Sequence, residues 1–136
     1  VTSVHYAGGY SVMQGTSMAA PSVTGAAALL IEEYRRRYPQ AGDPPNSLVK
    51  ALLIHGAHDN GNIGPDYRYG YGSVRAQRSA DILRAGQFIQ GLMEDRSGAL
   101  HTVTVAPQAS ELKATLVWDD APAAPNAAVA LVNDLD

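Results

Sequence analysis

The sequence predicts a mixed α/β chain with two grammars: a helix-rich part over residues 1–85 packed against other layers, then the first strands of an all-β part over residues 86–136. Three observations carry that expectation. The stretch 18–31 is small and apolar on every side instead of along one stripe, the pattern of a helix enclosed between layers. Helical spacing then returns twice before residue 85. Beyond it, apolar and polar residues alternate with a period of two, as on half-buried strands separated by Pro- and Ala-rich turns.

Taken in order, residues 1–14 hold Gly8, Gly9 and the alternating Tyr10, Val12 and Gln14, which read as a loop with a short extended run. A helix is expected from Ser17 to about Tyr38, its apolar first half covered and its charged second half in water. Glu32 and Glu33 stand four residues before Arg36 and Arg37. The triple Arg35, Arg36 and Arg37 therefore reads as a solvated helix end with i,i+4 pairs, not as a binding patch. Prolines at 39, 44 and 45 break the helix. Asn46 or Ser47 is placed to cap a second helix whose Leu48, Ala51, Leu52 and His55 share one face, with Gly56 as its stop. Residues 61–72 form a loop with Tyr67, Tyr69 and Gly70-Tyr71-Gly72, after which Ser73 is expected to cap a short helix through Ala76, Ala80 and Leu83 to Gly86. In the last part, 99–105, 112–120 and 127–135 read as strands. Leu112, Ala114, Leu116 and Trp118 lie on one face of the middle one, and Lys113 and Thr115 on the other.

A chain of 136 residues with 46% apolar and 17% charged content can bury a core, as one domain or as pieces of two. The formal net charge of −3 and the scattered Lys and Arg exclude a nucleic acid or an anionic membrane surface as the expected partner. With no cysteine there is no disulfide framework, zinc–thiolate site or cysteine nucleophile. The apolar stretch 18–31 is too short for a membrane span and carries Pro21, Ser22, Thr24 and Gly25. The chain opens at Val1 without an initiator Met or a signal-like run, and is read as an internal piece of a longer protein.

The candidate chemistry is concentrated in Gly15-Thr16-Ser17-Met18-Ala19-Ala20-Pro21, directly before the apolar stretch. A serine at the start of a helix sits where free backbone N–H groups and the positive end of the dipole converge, so negative charge developing near its oxygen is stabilised. Gly15 permits close approach of another backbone, Ala19 and Ala20 keep the flank narrow, and Pro21 is expected in the first turn, where its missing N–H costs nothing. The bland alternative is that Ser17 or Thr16 is only an N-cap. An α/β-hydrolase nucleophile requires Gly-x-Ser-x-Gly, and this string is Gly-Thr-Ser-Met-Ala.

The seven-residue string resembles the nucleophile segment of subtilisin-like serine peptidases, the subtilase family S8. Residues 48–84, with their Gly-Tyr-Gly element, resemble the end of that family's catalytic domain. The runs 112–120 and 131–136 resemble the opening of a β-sandwich that follows the protease in one branch of large secreted subtilases. The resemblance implies an α/β subtilisin-like fold with a parallel sheet, present here only as its C-terminal portion over 1–85, and a partial jelly-roll-like sandwich over 86–136. It implies an endopeptidase acting on polypeptides through Ser17, and a secreted location. Gly15, Thr16, Met18, Ala19, Ala20 and Pro21 would shape the site, the Ser17 N–H serving as one oxyanion donor. The aspartate, the histidine and the oxyanion asparagine would lie upstream of Val1, so the chain alone is expected to be inactive and to need the remainder of the catalytic domain.

His5, His55, His58 and His101 match no histidine motif of the family and have packing or surface roles as their default. His55, His58 and Asp59 lack a further ligand for a metal. No cofactor is required for the chemistry. Calcium is a possible structural ion at Asp119, Asp120, Asp134 and Asp136, although strand-end solvation is the simpler role. Gly70-Tyr71-Gly72 has no Lys-Ser/Thr and is no phosphate loop. Tyr67 and Tyr69 could meet a peptide but are expected to pack. A different class of function, a self-associating interaction module, follows if the apolar helix lacks its covering layer and pairs with a second copy.

Overall fold

The computed structural model describes residues 1–94 and 97–135. Its first element is a hairpin. Strands β1 (Thr2–Val4) and β2 (Tyr10–Val12) pair antiparallel in the register Thr2↔Val12, Ser3↔Ser11 and Val4↔Tyr10. The turn between them closes through the His5 and Gly8 N–H groups, which donate to Gly9 and His5 carbonyls at 3.0 and 2.9 Å. Gly8 and Gly9 both have positive φ, 91° and 75°, a conformation open to glycine at no steric cost.

Three helices follow: α1 (Thr16–Arg37), α2 (Asn46–Gly56) and α3 (Ala76–Arg84). α3 packs on both of the others, and the core forms where the three meet. Leu30 and Tyr34 from α1, Leu48 and Leu52 from α2 and Leu83 from α3 are buried together, with Tyr38, Ile82 and Phe88 against them. Leu83 has no exposed surface, and a leucine so enclosed contributes about 1.5–3 kcal/mol relative to leaving it in water. The aromatic edge of this core is built from Tyr34, Tyr38 and Phe88, with Tyr38 and Phe88 edge to face at 6.2 Å.

Gly56 lets α2 and α3 touch. A Cβ at this position would meet the Ser79 hydroxyl well inside contact and the Ser79 N and Cα at 3.0 and 3.1 Å. Ser79 is completely buried, and its hydroxyl donates to the Leu52 carbonyl at 2.9 Å, so the close approach also satisfies the one buried polar side chain among the described residues. α3 ends at Ala85, its C-cap, with a glycine directly after it. Gly86, with φ 65°, donates to Leu83, and the Gln87 N–H donates to Ile82, the two crossed bonds of a Schellman motif.

Several expectations are corrected. The first half of α1 is not covered: residues 16–25 are exposed except Met18, and burial begins at Ala26 and continues through Leu30 and Tyr34 in the charged half. The reason is that α2 and α3 reach only that end. Neither Asn46, Ser47 nor Ser73 caps a helix. The residue before α2 is Pro45, whose fixed φ of −58° leads the chain in, and the residue before α3 is Arg75. Ser73 is used elsewhere, bridged to His58. Gly56 ends α2 without positive φ, and its smallness serves packing instead.

The ion pairs also differ from the i,i+4 reading. Glu33 faces α3 with its side chain only 13% exposed and bonds Arg36 and, at 2.9 Å, Arg84, while Arg35 reaches Asp43. Tertiary proximity of α3 selects the acid's partners. Among the described residues the single sheet is the antiparallel hairpin, with no parallel sheet, and 99–105, 112–120 and 127–135 form no strands. A strand needs a neighbour for its ladder and a layer for its apolar face, and these runs meet neither here.

Candidate active site

The heptapeptide lies across the start of α1. Gly15 is the N-cap, with φ 133° and ψ 179°, and Thr16 and Ser17 are the first two helical residues. Ser17 is therefore inside the first turn and is not the cap. The Gly15 carbonyl accepts from both Met18 and Ala19 N–H, each at 3.1 Å. The Thr16 and Ser17 N–H groups lie before that ladder and have no intrahelical acceptor.

Glycine at the cap has no side chain to fold over those donors, and the first turn contains no acidic residue. The positive end of a 22-residue helix is thus left open beside the Ser17 hydroxyl. Ser17, Thr16 and Gly15 are exposed, as are Ala19 and Ala20, while Met18 is half-buried. An extended chain can approach this corner without meeting a large side chain on the alanine flank.

Pro21 is the sixth residue of α1, beyond the first turn where it was expected. Having no N–H, it removes the α-helical donor to the Ser17 carbonyl. The next turn is braced by side chains: Ser22 Oγ donates to the Met18 carbonyl at 2.9 Å and Thr24 Oγ1 to the Ala20 carbonyl at 3.1 Å.

The histidines are engaged elsewhere. His5 Nδ1 accepts from the Ala7 N–H inside the hairpin turn. His55, half-buried at the end of α2, lies with Nδ1 3.0 Å from Thr115 Oγ1, and burial is the main reason its pKa falls below the usual value. His58 holds its backbone to Ser73 through paired bonds of 2.9 and 2.8 Å, and His101 lies exposed in the C-terminal segment. Among the described residues none of them forms a hydrogen bond with Ser17.

Of the candidate calcium positions, Asp120 is occupied by N–H donors. Asp120 receives Val132, Asn133 and Ala121 backbone N–H groups and the Asn133 side-chain amide at 2.7–3.0 Å, and these bonds, Val132 foremost, hold its carboxyl below the usual aspartate range. Asp59 accepts the Gly64 N–H at 2.7 Å, and Asp66 caps a turn by accepting from Arg68 and Tyr69. The described residues contain no group of three His or acidic side chains arranged to hold a metal. Asp136, the last of the candidate calcium positions, lies outside the described residues.

Sequence reasoning missed the clasp of the 58–73 loop. Asn60 Nδ2 donates to the His58 carbonyl and to Ser73 Oγ at 3.1 and 2.8 Å, and Gly72, with φ 99°, lies so close to His58 that a Cβ would overlap its carbonyl. The His-x-Asn and Gly-Ser dipeptides are too short to announce a pairing thirteen residues apart. Tyr67 is fully exposed and Tyr69 carries the Arg68 guanidinium at 5.2 Å from its ring centre, so Tyr67 does not pack as expected.

Known proteins resemble this chain over the part that holds this corner. The family model described as the subtilase family matches residues 1–72. Fervidolysin of Fervidobacterium pennivorans is 42% identical over 68 residues, covering 50% of this chain and 9% of that protein. The serine protease/ABC transporter B family protein tagA of Dictyostelium discoideum is 29% identical over 142 residues, covering 91% of this chain and 8% of that protein, so its similarity runs past α3 into the C-terminal segment. The crystal structure of a lanthipeptide protease superposes with a TM-score of 0.51 at 45% identity over 56% of this chain and 22% of its own. The chain spans less than a tenth of the length of these two curated relatives. No described helix is long and apolar enough to cross a membrane.

Proposed function

This chain belongs to the subtilase family, and on that premise we propose that it supplies the nucleophile of a serine endopeptidase that cleaves polypeptides through an acyl-enzyme on Ser17. The observation that carries the reading is the position of Ser17 as second residue of a helix whose N-terminus is open, with no cap side chain and no acid in the first turn. In the proposed step Ser17 Oγ attacks the peptide carbonyl while a histidine takes its proton. The carbonyl oxygen becomes an oxyanion, which the Ser17 N–H is free to meet, and the amine departs with the returned proton. No cofactor is needed for this chemistry. Calcium as a structural ion and secretion of the parent protein belong to the same proposal.

The chain by itself is proposed to be inactive. In subtilisin, loss of one oxyanion donor costs about 10²–10³ in turnover, and without the triad partners little of the remaining rate survives. Fluorophosphonate labelling read by intact mass tests both statements. The full-length protease should be modified at Ser17 and its Ser17→Ala variant should not, while the isolated chain should stay unmodified. Modification of the full-length protein at another residue would end the assignment, and modification of the isolated chain would end the claim of inactivity.

A second reading, self-association, is favoured by the bare end of α1, where Leu29 is 62% exposed and Val23 39%. Sedimentation of the isolated chain over a hundredfold concentration range would reveal it, and a monomer throughout would dismiss it.

A further inference from the structure

The 58–73 loop is clasped by one carboxamide. Asn60 Nδ2 donates to the His58 carbonyl at 3.1 Å and to Ser73 Oγ at 2.8 Å, beside the paired backbone bonds that join His58 and Ser73. Of the five asparagines in the chain, only Asn60 is followed by glycine. That order has a chemical consequence. The backbone nitrogen after an asparagine can attack the side-chain carbonyl carbon and close a five-membered ring, and a side chain on the following residue is the main obstacle. Gly61 brings none, it is exposed with φ 81°, and its N–H has no acceptor among the described residues.

We propose that Asn60 is a deamidation site and that its conversion opens the 58–73 loop irreversibly. The proposal is independent of the peptidase reading. In the first step Gly61 N bonds to Asn60 Cγ and the Cγ–Nδ2 bond breaks. The nitrogen leaves as ammonia with the Gly61 proton, relayed by solvent. Water then adds to either carbonyl of the succinimide, leaving aspartate or isoaspartate at position 60.

The atom lost is the one that makes both bonds of the clasp. Ser73 Oγ can turn and donate to the new carboxylate, so that contact survives with its direction reversed. The His58 carbonyl cannot do the same, because it has no proton to give and would face a carboxylate oxygen. The isoaspartyl product also carries one more backbone atom ahead of Gly61, where space is already filled: a Cβ on Gly61 would meet the Tyr69 ring at 2.8 Å and Asp66 Oδ2 at 3.0 Å. The same clasp sets the rate. Two bonds hold the carboxamide by its amine, so the ring closes from the open loop, and a weaker clasp speeds the reaction.

The complete 136-residue chain, aged in mildly alkaline buffer and mapped by peptide mass with isoaspartate detection, tests each part. Conversion should occur at Asn60 and not at Asn46, Asn62, Asn126 or Asn133. Ser73→Ala removes one bond of the clasp and should accelerate it severalfold. The aged wild-type fraction, separated by its added charge, and the Asn60→Asp variant should both show protection of the His58 and Ser73 amides reduced by about tenfold, with unchanged helical circular dichroism. An Asn60 that keeps its amide in the folded chain, or that converts no faster in Ser73→Ala, would overturn the proposal. So would full protection of the His58 and Ser73 amides in the aged fraction.

Discussion

Gly56→Ala tests the packing of α2 on α3 at its closest point. Gly56 has ordinary helical φ, so the replacement gains about 1 kcal/mol of helix propensity, and an isolated helix would be strengthened. Against that gain stands the new Cβ. It would overlap the Ser79 hydroxyl and press on the Ser79 N and Cα at 3.0 and 3.1 Å, atoms of backbone that cannot rotate away. Overpacking of this kind costs about 1–3 kcal/mol. If the helices separate to relieve it, the bond from Ser79 Oγ to the Leu52 carbonyl is lost inside the core, which adds about 1–3 kcal/mol. The net expectation is a destabilisation of about 2–3 kcal/mol, a fall in Tm of roughly 10–20 °C for a helical unit of this size. Thermal unfolding followed by circular dichroism at the helical band measures it. Ser79→Ala alone should cost only about 1 kcal/mol, and it removes the atom nearest the new Cβ. The double variant should therefore lose less than the sum of the single ones. A neutral or stabilising Gly56→Ala would mean that propensity outweighs contact and that the two helices do not meet here.

Leu83→Ala, at a fully enclosed leucine in the core where the three helices meet, should cost about 2–5 kcal/mol in denaturant unfolding, and a loss under 1 kcal/mol would deny it the central place in the core. Gly72→Ala should open the 58–73 loop, because its φ of 99° and its position against His58 both exclude a side chain; protease nicking within 61–71 should accelerate while α1–α3 remain folded. Asp120→Asn should free the loop it clasps, seen as faster exchange of the Val132 and Asn133 amides. The same carboxylate makes that clasp acid-sensitive. Its pKa is lowered on folding, so the contribution is complete above the ordinary aspartate range and is lost as the pH falls through the depressed value, and the protection factor of the Val132 amide, corrected for the intrinsic pH dependence of exchange, should be flat from pH 7 to 5 and fall only below that range.

The helices were legible because their signals are local. Prolines and glycines mark their ends, and the apolar spacing of Leu48 and Leu52 is carried by a few neighbouring residues. The caps were misread for an equally local reason. Asn46 and Ser73 are good capping residues, but Pro45 already fixes the entry into α2, and Ser73 is drawn into a bridge with His58 that no short window contains. In the C-terminal segment the alternation of Leu112, Ala114 and Leu116 is real as a pattern, yet pairing is a property of two strands, and these residues have no neighbouring strand among those described.

By itself, then, the sequence determined the family and the order of the helices and singled out Ser17 as the proposed nucleophile, since each is written in contiguous residues whose local geometry needs little from the rest of the chain. Tertiary structure alone decided which half of α1 is buried, that Glu33 bonds Arg84 instead of Arg37, and that Gly56 and Ser79, His55 and Thr115, and Asp120 and Asn133 come together. Those outcomes depend on burial and hydrogen-bond satisfaction between residues 13 to 60 positions apart, where the free energy lies in the contact and neither partner carries the signal alone.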